Sequence, residues 1–379
     1  MRLSPFVAVL CVCVPMALAQ EGATSRRGYA ASSLPADKVE MRFIRWGDAI
    51  LVEDVMVNGK GPYRFLLDTG AEGAGRVDTT LVDALKLPGA GTSDSVGPLG
   101  QERQMNRYRL DTLSIGKLAF TGLVMSGRDY NAEFKSPGLR PIHGILGFHL
   151  FSEYLLTIDY PARKITIAKG ELPKPDGKHI VPLVSDDEDP EIEIRLGEQT
   201  ITALLDTGAQ GYVLVPGSLA EKLKFAAAPV VRGRENGSEL RSATLDGSLR
   251  IGEFDFPKPE LMIADRLNQV IIGVRMLSSL SVTYDQKNDR ARFDRPVAPK
   301  RFGMGVSWRG SGPWQLAAVD AGSIAETAGL RLTDSIVTID GRPFAELDRE
   351  DMFKLLDAST ITVEIERDGV RQKLRLSRE

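Results

Sequence analysis

The sequence predicts a mostly β protein: two duplicated β lobes in one chain, followed by a small α+β module. Three observations carry that prediction. The stretch FLLDTGAEG at 65–73 returns as ALLDTGAQG at 203–211, an offset of 138 residues. Around each copy lie short apolar runs, some with period-two alternation such as RKITIA, separated by Gly, Pro, Asn and Asp. Past residue 299 the pattern shifts to a short helix, GSIAETAGL, with Ser323 as its cap, and to strands joined by Asp-Gly turns.

At 379 residues the chain is long enough for two to three domains, and 42% hydrophobic with 26% charged residues excludes a disordered or fibrous protein. A formal net charge of −3 offers no basic footprint, so neither nucleic acid nor general attraction to anionic lipid is expected. The N-terminus, MRLSPFVAVLCVCVPMALAQ, places Arg2 before an apolar run and Ala17-Leu18-Ala19 before Gln20. Residues 1–19 therefore read as a signal peptide cleaved after Ala19, and the mature protein is expected to be periplasmic or secreted. The apolar run is short of the roughly 20 residues a membrane span needs, and no later stretch approaches that length. Cys11 and Cys13, the only cysteines, lie inside this segment. The mature chain then has no disulfide, thiol nucleophile or cysteine metal site.

The first lobe is expected over 36–170. An alternating strand at 50–57 passes a turn at Asn58-Gly59-Lys60-Gly61, a second strand runs into Asp68-Thr69-Gly70, and a helix follows near 79–86. LSIGKLAF at 113–120, ILGFHLF at 145–151 and TIDYPARKITI at 157–167 complete it. The second lobe, 183–297, repeats this order from Glu191, with LVPGSLAEKLKF as its helix, LRIGEFDF at 249–256, IIGVRML at 271–277 and TYDQKNDRARF at 283–293. For the late elements the offset is 126, so the first copy carries twelve extra residues. These are expected in the Gly-, Ser- and Pro-rich loops at 88–106 and 127–141. KGELPKPDGKHIVP at 169–182 reads as the connector between lobes.

Taken singly, either Asp-Thr-Gly could be a simple turn corner. What that leaves unexplained is the apolar approach, Phe-Leu-Leu or Ala-Leu-Leu, which holds each carboxylate against a core. A desolvated Asp costs free energy unless partnered, and the repetition suggests that Asp68 and Asp206 partner each other. Two carboxylates within about 3 Å cannot both ionise cheaply, so the pair holds one proton. Its charged member can act as general base on a water while the protonated member polarises a carbonyl. Thr69 and Thr207 supply hydroxyls that can lock the turns together; Gly70 and Gly208 leave room where a Cβ would intrude.

The two LLDTGA motifs, each followed in its own copy by ILG at 145–147 or IIG at 271–273, resemble the aspartic proteases. Ala after the glycine makes the turns retroviral-like, while two copies in one chain match the pepsin-like bilobal plan. The resemblance spans about residues 40–297. It implies two β lobes facing across a cleft, Asp68 and Asp206 as catalytic residues supported by Thr69, Gly70, Thr207 and Gly208, and extended peptide or protein substrates. Ala71 and Glu72, with Ala209 and Gln210, fall where that family contacts substrate backbone. Glu72 against Gln210 implies that the halves bind substrate unequally. The flap that closes such clefts is sought in 88–106, with no tip residue identified. Because both halves share one chain, a monomer suffices.

The C-terminal module, 299–379, resembles a PDZ domain: GSIAETAGL as a short helix, DSIVTIDGRPF as strand, turn and strand, and TVEIERDGVRQKLRLS as a final strand pair. The resemblance implies a groove for peptide termini, with Gly303, Met304, Gly305 and Val306 as the carboxylate-binding loop and Lys300 and Arg301 as nearby cations. Thr333-Asp334 stands where that family commonly has Gly-Asp.

No cofactor or metal is expected. His143, His149 and His179 lack metal-site spacing, Ser218 reads as a helix-start residue, and SDDEDPE at 185–191 lacks the glycine and spacing of a calcium loop. The function expected is thus an aspartic endopeptidase with a peptide-binding module. Its main rival is an inactive peptide-binding protein using the same cleft and groove; a carboxylate glycosidase accounts for neither the repeated Thr-Gly nor the peptide module.

Overall fold

Alternation of apolar side chains across the strand Ala49–Val57 sends Val55 and Val57 into a core they share with Phe65 and Leu67 of the next strand, Lys60–Asp68. The computed structural model describes residues 27–46, 48–97, 99, 101–133, 140–184, 189–209, 211–235, 237–297, 300–307 and 314–378. The signal peptide read at 1–19, with Cys11 and Cys13, lies outside them, as does most of the acidic run at 185–191. The described chain forms two units: the two lobes together through Pro296, and a unit from Val297 onward that also takes in Arg140.

In the first lobe, a sheet runs in the order Ala31–Ser33, Leu118–Arg128, Gly75–Asp78, Gly144–Gly147, Lys60–Asp68, Ala49–Val57, Glu102–Ile115 and Gly89–Val96, with Ile44–Trp46 paired to Ala49–Val57. The second lobe repeats its centre: Glu260–Ala264, Val213–Pro216, Val270–Gly273, Gln199–Asp206 and Glu191–Leu196 are successive neighbours. Register is the same in both. Lys60–Asp68 lies parallel to Gly144–Gly147 with Asp68 opposite Gly147, and Gln199–Asp206 lies parallel to Val270–Gly273 with Asp206 opposite Gly273. Each carboxylate therefore ends a buried central strand beside the glycine of the ILG or IIG element.

The lobes are joined by a third sheet, ordered Ile180–Pro182, Arg290–Asp294, Ser281–Asp285, Leu155–Asp159, Lys164–Ala168 and Lys38–Arg42. At its centre the two copies meet: Leu155–Asp159 runs antiparallel to Ser281–Asp285, with Thr157 opposite Thr283 and their hydroxyls 2.8 Å apart. These threonines are equivalent under the 126-residue offset, so the sheet lies on the pseudo-two-fold axis of the duplication. Its buried face, including Ile158, Ile167, Val282 and Phe293, belongs to one core continuous through both lobes.

Two expectations change. The segment 88–106 is mostly strand: Gly89–Val96 and Glu102–Ile115 form a hairpin in which Thr92 pairs with Asn106 and Val96 with Glu102. Ladder pairing between Gly89–Val96 and Glu102–Ile115 overrides a loop-like composition, because small and polar residues are tolerated where an arm is solvent-facing. LVPGSLAEKLKF keeps only a single helical turn, Gly217–Ala220; Pro216 occupies its N-cap and gives no side-chain cap bond. The first-lobe helix, Thr79–Leu85, is longer and is capped by Asp78, whose side chain accepts from the Thr80 amide.

The unit from Val297 pairs Met304–Ser307 with Gln315–Val319 and builds a four-stranded sheet from Arg342–Pro343, Ser335–Ile339, Thr360–Arg367 and Val370–Ser377. Ser323 caps the short helix Ile324–Thr327 by accepting from the Glu326 amide, as the sequence predicted. A helix that sequence reasoning missed, Arg349–Asp357, is capped by Asp348 accepting from the Asp351 amide. This unit has its own core, with Phe302, Trp314, Ile339, Met352 and Val363 all buried. Arg367 clasps Asp334 through two bonds of 2.6 and 2.8 Å, which holds the Asp334 carboxyl below the usual carboxylate range. Within the same unit Arg140 bonds Asp348 at 2.6 Å.

The connecting sheet is fully buried at Ile158. Truncation by Ile158→Ala is expected to destabilise the two-lobe unit by about 2–5 kcal/mol, measured by urea denaturation of the full chain.

Candidate active site

Each Asp-Thr-Gly turn leaves its strand at the point where the other lobe's turn arrives, and the two threonines fix that meeting. The Thr69 hydroxyl donates to the Leu205 carbonyl (2.6 Å) and accepts from the Thr207 amide (3.0 Å). Reciprocally, the Thr207 hydroxyl donates to the Leu67 carbonyl (2.8 Å) and accepts from the Thr69 amide (2.9 Å). Both threonines are buried, so these four bonds form where water does not compete.

That lock sets the carboxylates. Asp68 accepts from the Gly70 amide at 3.0 Å and Asp206 from the Gly208 amide at 2.6 Å. Each also abuts the opposite glycine: a Cβ on Gly70 would stand 2.7 Å from the Asp206 Cγ, and one on Gly208 2.6 Å from the Asp68 Cγ. A side chain at either glycine would therefore push the opposite carboxylate out of place. Behind the turns, Gly147 and Gly273 close the backbone, with the Gly147 amide donating to Ala74 and the Gly273 amide to Tyr212.

Asp68 is 2% exposed and Asp206 fully buried. Burial raises the pKa of Asp68, against the opposing positive charge of Arg76. Burial raises Asp206 well above the carboxylate range, and the neighbouring charge of Asp68 raises it further. The pair therefore holds a proton at pH values where an isolated carboxyl has lost it, and that titration belongs to the pair as a unit.

The sequence-predicted residues Asp68, Thr69, Gly70, Ala71, Asp206, Thr207, Gly208 and Ala209 all lie at this junction, with Ala71 and Ala209 buried directly behind the turns. Glu72 is half-buried four positions after Asp68, and Gln210 lies outside the described residues. The histidines are dispersed. His143 accepts from the Arg64 amide, His149 is buried against Phe148, and His179 pairs with Glu253 at 2.8 Å. Among the described residues no group of three or more His, Cys, Asp or Glu is arranged to hold a metal ion.

Two contributors escaped sequence reading. Asp48 of the first lobe, 6% exposed, accepts from the Gly211 amide (3.1 Å) and from Arg275 (2.8 Å) and Arg45 (3.1 Å), tying the first lobe to the loop just after Asp206. An isolated Asp in RWGDAI gives no signal of that reach. Leu99, at the turn of the Gly89–Val96 hairpin, packs into a second-lobe apolar cluster with Ala209 and Leu214. That contact brings the hairpin to Ala209, just after the Asp206 turn.

In the C-terminal unit, Gly303 has a left-handed φ of 74° that favours glycine, and Met304, Gly305 and Val306 lie in the strand Met304–Ser307. Lys300, Arg301 and Arg375 line a cavity of about 630 Å³ together with Ser323 and Thr327. Among the described residues no helix is long and apolar enough to cross a membrane.

The threonine lock predicts a specific loss. Thr69→Ala leaves the Leu205 carbonyl and Thr207 amide without their buried partner, at about 2–4 kcal/mol, whereas Thr69→Ser keeps the hydroxyl and most of the stability. Thermal and urea unfolding of both variants, with Thr207→Ala completing a double-mutant cycle, checks this.

Against known proteins, the Aspartyl protease family model matches residues 53–150 and 192–276, one segment in each lobe and together just under half of the chain. Among solved structures, an aspartic proteinase from Irpex lacteus aligns over 69% of this chain and 98% of its own, at 17% identity and a TM-score of 0.45. No curated protein matches. The protein is mostly β with two aspartic-protease-like lobes, and over both of them it is similar to the aspartyl protease family.

Proposed function

We propose that this protein is an aspartic endopeptidase in which Asp68 and Asp206 share one proton and activate a water between them. The observation that carries the reading is the reciprocal threonine lock, which sets each carboxylate against the other lobe's glycine. The family match in both lobes supports a protease. In the proposed reaction the ionised carboxylate takes a proton from the water as it attacks the peptide carbonyl, and the protonated partner donates to the carbonyl oxygen. Collapse of the tetrahedral adduct breaks the C–N bond as a proton passes to the departing amine. Chemistry then needs one proton on the pair: it is lost in acid when both are protonated and in base when both are ionised. Because burial and mutual charge raise Asp206, the basic limb lies above the ordinary carboxylate range near about 4.

The reading extends to export, supported by the signal-like residues 1–19, and to a PDZ-like unit that binds peptide termini. For the latter, the support is the module's sequence pattern and the cationic residues Lys300, Arg301 and Arg375 around its cavity.

Asp206→Asn is expected to abolish peptide hydrolysis while the fold survives. A folded-state pKa raised above the unfolded value contributes stability that is full below the unfolded value and falls as pH rises through the folded one. The neutral Asn escapes that fall, so the variant should melt with wild type near pH 3 and above it at pH 7–8, as scanning calorimetry can measure. Substantial residual hydrolysis by the variant refutes the shared pair. A fluorescein-labelled peptide with a free C-terminus is expected to bind the Asp206→Asn protein at least about tenfold more tightly than its C-terminal amide, with Lys300→Ala/Arg301→Ala removing the difference; equal affinities refute terminus binding.

A further inference from the structure

The segment that opens the C-terminal unit and the strand that ends it bring cations to one place. Phe302 is buried in that unit's core, which anchors Lys300 and Arg301 just before it. In the last strand, Val370–Ser377, alternation sends Leu374 and Leu376 toward the core and leaves Arg375 and Ser377 on the other face. Two contacts hold these elements together. The Arg378 guanidinium lies 4.6 Å from the Phe302 ring centroid, and the Ala325 amide donates to the Phe302 carbonyl at 2.8 Å, which draws in the short helix Ile324–Thr327. Lys300, Arg301 and Arg375 thereby line one cavity of about 630 Å³.

All three cations are exposed, and among the described residues none has a carboxylate partner. Other arginines of the unit are paired, Arg367 with Asp334 and Arg342 with Asp351. Among the described residues no Asp or Glu lines the cavity. The acids closest to it along the chain and across the sheet are committed elsewhere: Glu326 accepts from the Gly322 amide at 2.6 Å, and Glu364, on the strand paired with that of Arg375, accepts from the Thr338 hydroxyl at 3.1 Å. Ser323, also in the lining, uses its oxygen to accept from the Glu326 amide at 3.2 Å, which leaves its hydroxyl proton to donate. Met304, Gly305 and Val306 do not line the cavity, so what it offers an occupant is charge and hydroxyl groups.

A lone terminal carboxylate brings one negative charge to these three cations. Like charges gathered around a concavity repel, and an occupant with a second negative charge relieves more of that repulsion than an occupant with one. We propose that the C-terminal unit selects peptide ends whose last residue is Asp or Glu, the terminal carboxylate lying at Lys300 and Arg301 and the acidic side chain at Arg375. This rests on the terminus-binding reading above. The cavity falls in the size range of small-ligand pockets, so it has room for a whole terminal residue. The planar guanidinium of Arg375 suits a carboxylate through two parallel charge-assisted bonds, which the neutral amide of Gln does not reproduce. Because the cations stand at the surface, the discrimination is moderate and weakens as salt is added.

The test uses the full chain carrying Asp206→Asn, so that no peptide is cut during the measurement, and fluorescein-labelled peptides read by anisotropy. The peptides differ only in ending with Glu or Gln and in carrying a free acid or an amide at that end. At low ionic strength the free-acid peptide ending in Glu is expected to bind more tightly than its Gln counterpart by about fivefold or more. Adding Arg375→Gln or Arg375→Met should erase that ratio, and Arg375→Lys, which keeps the charge, should retain part of it. Equal affinities for the Glu and Gln peptides, or an unchanged ratio in a folded Arg375→Gln protein, overturn the proposal. The same peptides separate the two claims. A free-acid preference without a Glu preference keeps terminus binding and removes the acidic selection; a Glu preference of equal size in the amides, with no preference for the free acid, keeps Arg375 as the reader of an acidic side chain and removes the terminus. Inorganic phosphate that displaces the Glu peptide as well as the unlabelled peptide does marks an unselective anion site and overturns the proposal, and absence of binding by every peptide overturns both readings.

Discussion

Four hydrogen bonds between Thr69 and Thr207 and the strands of the opposite lobe hold the rest of the site in place. Each threonine uses its hydroxyl twice, as donor to a carbonyl before the other carboxylate and as acceptor from the other threonine's amide. Buried, those groups have no aqueous alternative, so separating the turns would orphan all of them together. The lock forces Asp68 and Asp206 into one desolvated site, and the raised pKa values follow from that confinement. The sheet joining the lobes, with Thr157 against Thr283, serves the same end from a distance: it holds the two copies on one axis so that the turns meet.

Duplication has preserved what the backbone needs and released what it does not. Glycine is kept in both copies at the turns themselves, Gly70 with Gly208 where a Cβ would strike the opposite carboxylate and Gly147 with Gly273 where it would strike the turn behind. Other matched positions differ: Arg76 corresponds to Leu214, and Glu72 to Gln210. Asp48 reaches from the first lobe to the loop following Asp206. A single chain can specialise its two halves in a way that two identical subunits cannot, because each half is encoded separately.

Much of this was legible in the sequence because it is local. The alternating strands, the Asp-Thr-Gly turns, the Asn58-Gly59 and Gly116 turns and the Ser323 cap each rest on a few consecutive residues, and repetition doubled the signal. The same repetition exposed the carboxylate pair, since a desolvated Asp written twice asks for a partner. What stayed hidden depends on distant pairing. The segment 88–106 looks like a loop because it is rich in Gly, Ser and Pro, and only cross-strand partners such as Thr92 and Asn106 make it a sheet. The second-lobe helix reads longer than its one turn because apolar spacing continues through Leu223 while no side chain caps its start. Asp48 carries no motif; its role exists only once Gly211 and Arg275 of the other lobe are placed beside it.

The most direct test of the central claim is to watch the carboxylates themselves. In protein carrying ¹³C at the Asp side-chain carboxyls, titrated by NMR from pH 2 to 9, the resonances assigned to Asp68 and Asp206 by their loss in the corresponding Asn variants should move together in two well-separated steps, with one proton retained above the ordinary carboxylate range. In Asp206→Asn the upper step should vanish and a single step remain for Asp68. Two resonances that titrate independently near pH 4, each unaffected by replacement of the other residue, would contradict the account.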